Sequence, residues 1–260
     1  MDTLYKFLEK ALKIFFGLVV VSVLGILVFY FKHNESLPLS SDPEFANETS
    51  QKMLKSMGGK AWNKTRYISW VTHNNRHYIW DKREGFVKVS WSGNHVIYNI
   101  KSEDAIVKIG ETTLKNKEKK EKLVYLAKEY FEIDRFWFSA PYEVFDLQID
   151  RTMVLLEGQS KRSLCVQYLD NHKSRAGEAY IYILDDKNRP LAWKMWNDNF
   201  YFDGLQSEWI DWQKTSTGFW YPLAHKSEFF GYNINIQNML TGKRLKDIGL
   251  SKDPFKLMRK

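Results

Sequence analysis

The chain has a single cysteine, Cys165, in 260 residues. One thiol excludes an internal disulfide framework, so any part lying in an oxidising compartment must be held by its core. It also leaves no lipid-acceptor cysteine after the apolar segment near the start. Catalytic signatures are missing too: there is no G-x-S-x-G, no P-loop, and no Cys/His pairing of the nucleophile type. No internal repeat, low-complexity tract or nucleic-acid-reading motif occurs. Charge is not concentrated: the net +8 is spread out, and its densest stretch, Lys115–Lys122, carries its own glutamates. That reads as a solvated, weakly basic surface, with attraction to anionic lipid headgroups as the alternative.

Ile14–Phe31 is a run of eighteen residues without a charge. About 20 predominantly apolar residues cross the ~30 Å hydrocarbon core of a bilayer. A cleaved signal peptide has a shorter apolar stretch and small residues at the cut, whereas this run continues into Tyr30-Phe31-Lys32-His33-Asn34. An uncleaved anchor is the favoured reading. Lys6, Lys10 and Lys13 precede the run and Lys32 stands nearly alone after it. Lysine bias therefore predicts residues 1–13 in the cytoplasm, a span over 14–31, and the body outside. Phe29, Tyr30 and Phe31 suit an aromatic belt at the outer interface.

The rest, about 229 residues, suffices for one large domain. Ten Trp, fourteen Tyr and seventeen Phe make up 16% of the chain, and each buried ring removes ~150–250 Å² from water. Residues 32–41 read as a polar linker. Ser41-Asp-Pro-Glu44 reads as a capping box opening a helix to about Met57, stopped at Gly58-Gly59. From Thr65 the period changes to two. Val87, Val89 and Trp91, then Val96, Tyr98 and Ile100, alternate with other residues between turn signals at Asn74-Asn75, Lys82–Gly85 and Ser92–Asn94. Leu123, Val124, Ala127, Tyr130 and Phe131 form one stripe of a helix from about Asn116 to Phe131. Phe136–Pro141 then reads as an apolar loop or short helix. Strands are expected at Thr152–Glu157, Ser163–Leu169, Glu178–Leu184, Leu191–Asn197, Gln206–Gln213, Gly218–Tyr221 and Lys226–Gln237, the last with Phe230, Tyr232, Ile234 and Ile236 on one face. The implied fold class is α+β and mainly β: a large curved antiparallel sheet, or incomplete β-barrel, with two or three helices over its concave side, behind an N-terminal transmembrane helix.

Gly58-Gly59-Lys-Ala-Trp62, Arg66-Tyr67-Ile68, His77–Lys82 with Gly85, Trp137–Pro141, Tyr180–Asp185 and Leu245–Ile248 together resemble the LolA/LolB-like superfamily of bacterial envelope lipoprotein and lipid carriers, most nearly a membrane-anchored branch. The resemblance spans residues 42–255. It implies a half-barrel over 42–260 around an apolar cavity, lidded by helices. Carriers of that superfamily are free or lipid-anchored, whereas this chain has a peptide anchor. Arg66 and Arg76 are the positional candidates for the arginine that latches the carriers' lid.

His73-Asn-Asn-Arg-His77 has H-x-x-x-H spacing, but in a hairpin that spacing does not converge two imidazoles, so no metal is expected. Asp185-Asp186 sits in a turn, where aspartate bonds its own backbone. Asp198, Asp203 and Asp211 are scattered among aromatics, and a glycosidase needs two carboxylates held together. Cys165 reads as a small core residue. Asn34, Asn47 and Asn63 head glycosylation triplets that matter only in a eukaryotic secretory chain. Trp80, Trp91, Trp193, Trp196, Trp209, Trp212 and Trp220 line a cavity or fill a core. The expected ligand-binding set, as cavity wall or lid, is Trp80, Trp91, Leu123, Ala127, Tyr130, Trp137, Trp193 and Trp209. The expectation is a membrane-anchored, non-enzymatic binder of a lipid, acyl chain or lipoprotein moiety, without cofactor or nucleic acid. A filled structural module of an envelope complex and a glycan hydrolase are the alternatives.

Overall fold

A left-handed turn starts the first body helix. Asp42, at φ 63, caps α2 (Pro43–Met57) by accepting from the Phe45 N–H at 3.2 Å. Asp42 thus takes the place expected of Ser41, whose backbone instead bridges to Met153. Gly58, at φ 80, ends α2 and opens the short α3 (Gly59–Lys64). Only glycine serves there, because a Cβ would stand 2.7 Å from the Gly218 carbonyl oxygen besides requiring the left-handed backbone. The computed structural model describes residues 2–72, 74–172, 175–197, 203–227 and 233–259; His73, Asp198, Phe230 and Tyr232 lie outside them.

Six strands follow as a meander: β1 (Tyr67–Thr72), β2 (His77–Asp81), β3 (Phe86–Trp91), β4 (Asn94–Asn99), β5 (Ala105–Ile109) and β6 (Thr112–Thr113). The long helix α4 (Lys117–Ser139) then crosses, capped by the Asn116 side chain. Seven more strands return: β7 (Ile149–Val154), β8 (Ser163–Tyr168), β9 (Ala179–Leu184), β10 (Pro190–Trp196), β11 (Leu205–Lys214), β12 (Trp220–Ser227) and β13 (Asn233–Gly242). All pair antiparallel in the order β6-β5-β4-β3-β2-β1-β13-β12-β11-β10-β9-β8-β7. The first and last strands therefore meet in the middle, Tyr67 opposite Gly242. The edges β6 and β7 do not pair with each other, so the sheet stays an open half-barrel.

Several boundaries differ from the sequence expectation, β7 among them at Ile149–Val154 instead of Thr152–Glu157. Helix α4 runs on through Phe136-Trp137-Phe138, because all three rings find the sheet. The stretch 218–237 divides into β12 and β13 elsewhere than expected, with Pro222 inside β12. Pro222 is tolerated because β12 pairs with β13 only through Ala224–Lys226, leaving its other flank without a ladder there.

Helix α4 shows the curvature. Phe131 lies 6.0 Å from Trp70 on β1, 5.4 Å from Trp80 on β2 and 6.3 Å from Tyr98 on β4. Phe136, little more than a turn later, stacks 5.5 Å from Trp193 on β10 and 4.9 Å from Tyr180 on β9. One helix touches both arms only if the sheet wraps it.

Helix α1 (Asp2–His33) is one helix long and apolar enough to cross a membrane, and its side chains from Tyr5 to Lys32 are all exposed. The segment after it is fastened to the body. Glu35 receives the Trp196 indole N–H at its carbonyl (2.8 Å) and Lys194 at its carboxylate (2.6 Å). Leu37 packs against the buried cluster that contains Val154, Ile181 and Trp196.

Candidate functional site

Of the eight residues expected to bind ligand, Trp80, Leu123, Ala127, Trp193 and Trp209 are buried, while Trp91, Tyr130 and Trp137 are half-buried against the same core. Leu123 and Ala127 belong to α4 itself, and Trp80 meets that helix at Phe131, 5.4 Å between ring centroids. Trp193, Trp209 and Trp137 gather under its end, with centroids of Trp193 and Trp209 4.9 Å apart and those of Trp137 and Trp193 5.5 Å apart. Trp91 meets Tyr130, midway along α4, edge-on at 5.5 Å. The set therefore forms two ring clusters joined by α4.

Three arginines hold that helix. Arg76 grips Asp134 with two hydrogen bonds of 2.7 and 2.8 Å, and the Tyr78 hydroxyl donates to the same carboxylate. Arg135 pairs with Glu132 and Glu143. Arg175 donates to the Glu132 carbonyl and lies 3.4 Å over the Phe136 ring. Of the two candidate latch arginines, Arg76 is the one that reaches the helix; Arg66 binds Asp81 and Glu84 on the convex side.

The concave core carries an unusual polar debt. The indole N–H groups of Trp70, Trp80, Trp193 and Trp209 have no acceptor among the described residues, and the Nδ1 lone pair of His225 has no donor there. A buried donor left unpaired costs about 1–3 kcal/mol. His225 is fully buried, with Nε2 2.6 Å from the Trp137 carbonyl, and burial pulls its pKa down to about 3.

The apolar opening nearest this core was not expected from the sequence. A cleft of about 660 Å³ lies between the end of α2, α3 and the 3-10 turn Ala140–Tyr142 with the residues after it. Its apolar wall is Leu54, Trp62, Tyr142 and Phe145, and Lys55 and Lys60 stand at its rim. Trp62 and Tyr142 stack at 4.6 Å and 14°, and Trp62 also meets Trp80 (6.0 Å) and Phe138 (6.4 Å). This pair is therefore the partition between cleft and core. The Tyr142 hydroxyl reaches the carbonyls of Met57 (2.9 Å) and Trp220, pinning the turn to α2 and β12.

Lys82 braces the partition from behind. Its ammonium donates to the Trp62 carbonyl at 2.7 Å and lies 3.4 Å from a Trp62 ring centroid. Burial lowers its pKa to about 7, opposed by Glu143 and reinforced by Arg135. Asp146, at the mouth, is pushed up to about 6 by burial and by Glu143. Its side chain remains accessible, so the crowding of the loop rather than deep enclosure is responsible. Phe145 and Leu147 on that loop are exposed, giving the mouth a greasy lip. The described residues form no group of three or more metal-ligating side chains. The only sequence signal for the cleft was the Gly-Gly-Lys-Ala-Trp62 run; Tyr142 and Phe145 carried none.

No protein-family model and no curated protein matches the chain. Solved structures that align with the chain at low similarity include two from bacteria. A DUF1329 family protein from Desulfovibrio piger aligns with TM-score 0.37 and 8% identity, over 76% of this chain and 93% of that one. A domain named for outer membrane lipoprotein sorting, from Vibrio parahaemolyticus, aligns with TM-score 0.36 and 11% identity, over 76% of this chain and 97% of that one. Identities and scores this low carry no function across. The fold is read from the strand order itself.

Proposed function

We propose that this chain is a membrane-anchored binding protein, not an enzyme, which takes an acyl chain or similar apolar group into the cleft walled by Leu54, Trp62, Tyr142 and Phe145. The cleft carries the reading. Its volume lies within the ~300–1,000 Å³ usual for ligand sites, and apolar walls with few polar groups are what such sites have. Lys55 and Lys60 at the rim favour an anionic head on an apolar tail. The exposed Phe145 and Leu147 offer a path from a bilayer surface. Burial of the tail is worth ~25 cal/mol per Å² of apolar area removed from water. Helix α1 would hold the body at the membrane, with its lysine-rich end in the cytoplasm.

Deeper insertion requires the Trp62–Tyr142 pair to part. The unpaired indole N–H groups beyond it are donors for the oxygen atoms of a carboxyl or ester group. The LolA/LolB-like resemblance agrees in kind, a lipid or lipoprotein moiety. The second reading, a structural module of an envelope complex, has one observation in its favour: the rings beneath α4 pack directly on one another.

A fluorescent fatty acid titrated into the chain lacking residues 1–31 tests the proposal. Saturable uptake with quenching of tryptophan emission is expected, weakened by Leu54→Gln and Phe145→Ser and left intact by Trp91→Ala. Absence of saturable uptake, or indifference to both cleft substitutions, would transfer support to the structural module.

A further inference from the structure

Strand pairing gathers basic side chains on the convex side. His95 on β4 stands directly opposite Lys108 on β5, and Lys88 on β3 opposite Ile97, one step along the same face. The C-terminal segment lies beside them, bringing Lys252 and Lys256 to the same groove of about 730 Å³. Its floor is apolar, with Ile97 and Ile106. Lysines gathered in one groove repel one another, so this arrangement calls for a counter-charge.

The protein supplies little of one. None of Lys88, Lys108, Lys252 and Lys256 forms an ion pair among the described residues. Of the two carboxylates in the wall, Asp253 is taken by Arg259 at 2.9 Å, which leaves Glu111. The crowding has an electrostatic signature. Burial lowers the pKa of Lys88 and Lys108 lowers it further; His95 is lowered by burial and then by Lys88. His95 Nδ1 is engaged by the Ser90 hydroxyl at 3.0 Å, which leaves Nε2 as a further donor.

We propose that this convex groove, formed by Lys88, His95, Lys108, Lys252 and Lys256, binds a phosphate-bearing anion. Lysines act as point charges toward phosphate oxygens, and several of them converging from three chain segments suit more than one negative charge. A phosphodiester headgroup and a free oligophosphate share this chemistry. The groove is separate from the apolar cleft and owes nothing to the acyl-binding reading.

The test uses the full chain in uncharged maltoside micelles, with histidine-labelled NMR following His95. One arm adds inorganic pyrophosphate, and the other dopes the micelles with phosphatidylglycerol. A bound anion favours the imidazolium, so the His95 pKa should rise by about one unit at saturation. Lys88→Gln and Lys108→Gln should each weaken the effect by about fivefold, and raised salt should weaken it too. A response to pyrophosphate assigns a free phosphoanion; a response to phosphatidylglycerol alone assigns a headgroup. No saturable shift in either arm, or an unchanged shift in the Lys88→Gln/Lys108→Gln double variant, overturns the proposal. The variants lie on a solvent-facing side, and unchanged melting temperatures separate loss of binding from loss of fold.

Discussion

The two long helices, α1 with 32 residues and α4 with 23, have opposite fates. Every side chain of α1 from Tyr5 to Lys32 is exposed, whereas α4 buries Leu123, Ala127, Phe131, Phe136 and Phe138. The helices differ both in how much of their surface is apolar and in how it is arranged. A helix that is apolar all round has no preferred side to lay on a sheet. A helix with one stripe has a direction, and α4 spends it on the sheet. The apolar run of α1 makes it separable from the body; the stripe of α4 makes it inseparable.

The strongest attempt to break this contrast is a charge in the stripe. Leu123→Asp should destabilise the body by several kcal/mol, since the carboxylate has no partner there; Phe131→Ala should cost about 3–5 kcal/mol. Thermal melts that move by less than a few degrees would mean α4 is a loosely held cover.

Next comes pH. The buried His225 touches the α4 end through the Trp137 carbonyl, and its folded pKa of about 3 lies below the ordinary value of 6.5. A depressed histidine binds protons better in the unfolded chain. Stability is therefore intact above about pH 6.5 and falls as pH drops toward 3, by about 2 kcal/mol between pH 7 and pH 5. Denaturant titrations across that range should show the slope, and His225→Gln should flatten it. An equally steep slope in the variant would put the titrating group elsewhere.

Helix α2 sharpens the contrast at smaller scale, because its start depends on one cap. Asp42→Ala removes the bond to the Phe45 N–H and the pairing with Arg162, at about 1 kcal/mol. The smallest expected effect belongs to α1 itself. Removing residues 1–31 should leave the melting temperature of the body unchanged while abolishing its retention by membranes. A shifted or broadened melt would show that α1 supports the body after all.

Much of this was legible in the sequence, for reasons that also set the limit. The run Ile14–Phe31, the hairpins around Lys82–Gly85 and Ser92–Asn94, and the stripe from Leu123 each follow from one local period. The full length of α4 did not, because Phe136-Trp137-Phe138 is apolar on consecutive positions. Such a run has no helical period until a curved surface surrounds it. Asp42 displaced Ser41 as the cap because it adopts the left-handed backbone, which residue type only hints at. The cleft was least legible of all. Trp62 and Tyr142 are brought into stacking by the crossing of α4, and no spacing along the chain encodes that meeting. Trp70, Trp193 and Trp209 are buried in the core, yet no spacing in the sequence says which tryptophan faces an opening.

Tyr67 pairs with Gly242, so the seam at the centre of the sheet joins the first strand made to the last. A ribosome delivering this chain finishes the β1–β6 meander long before β13 exists. Through that interval β1 offers a free row of N–H and C=O groups to anything strand-like nearby, including a second nascent copy. The chain thus has a period of vulnerability timed by translation, ended only when its C-terminal residues emerge and close the seam.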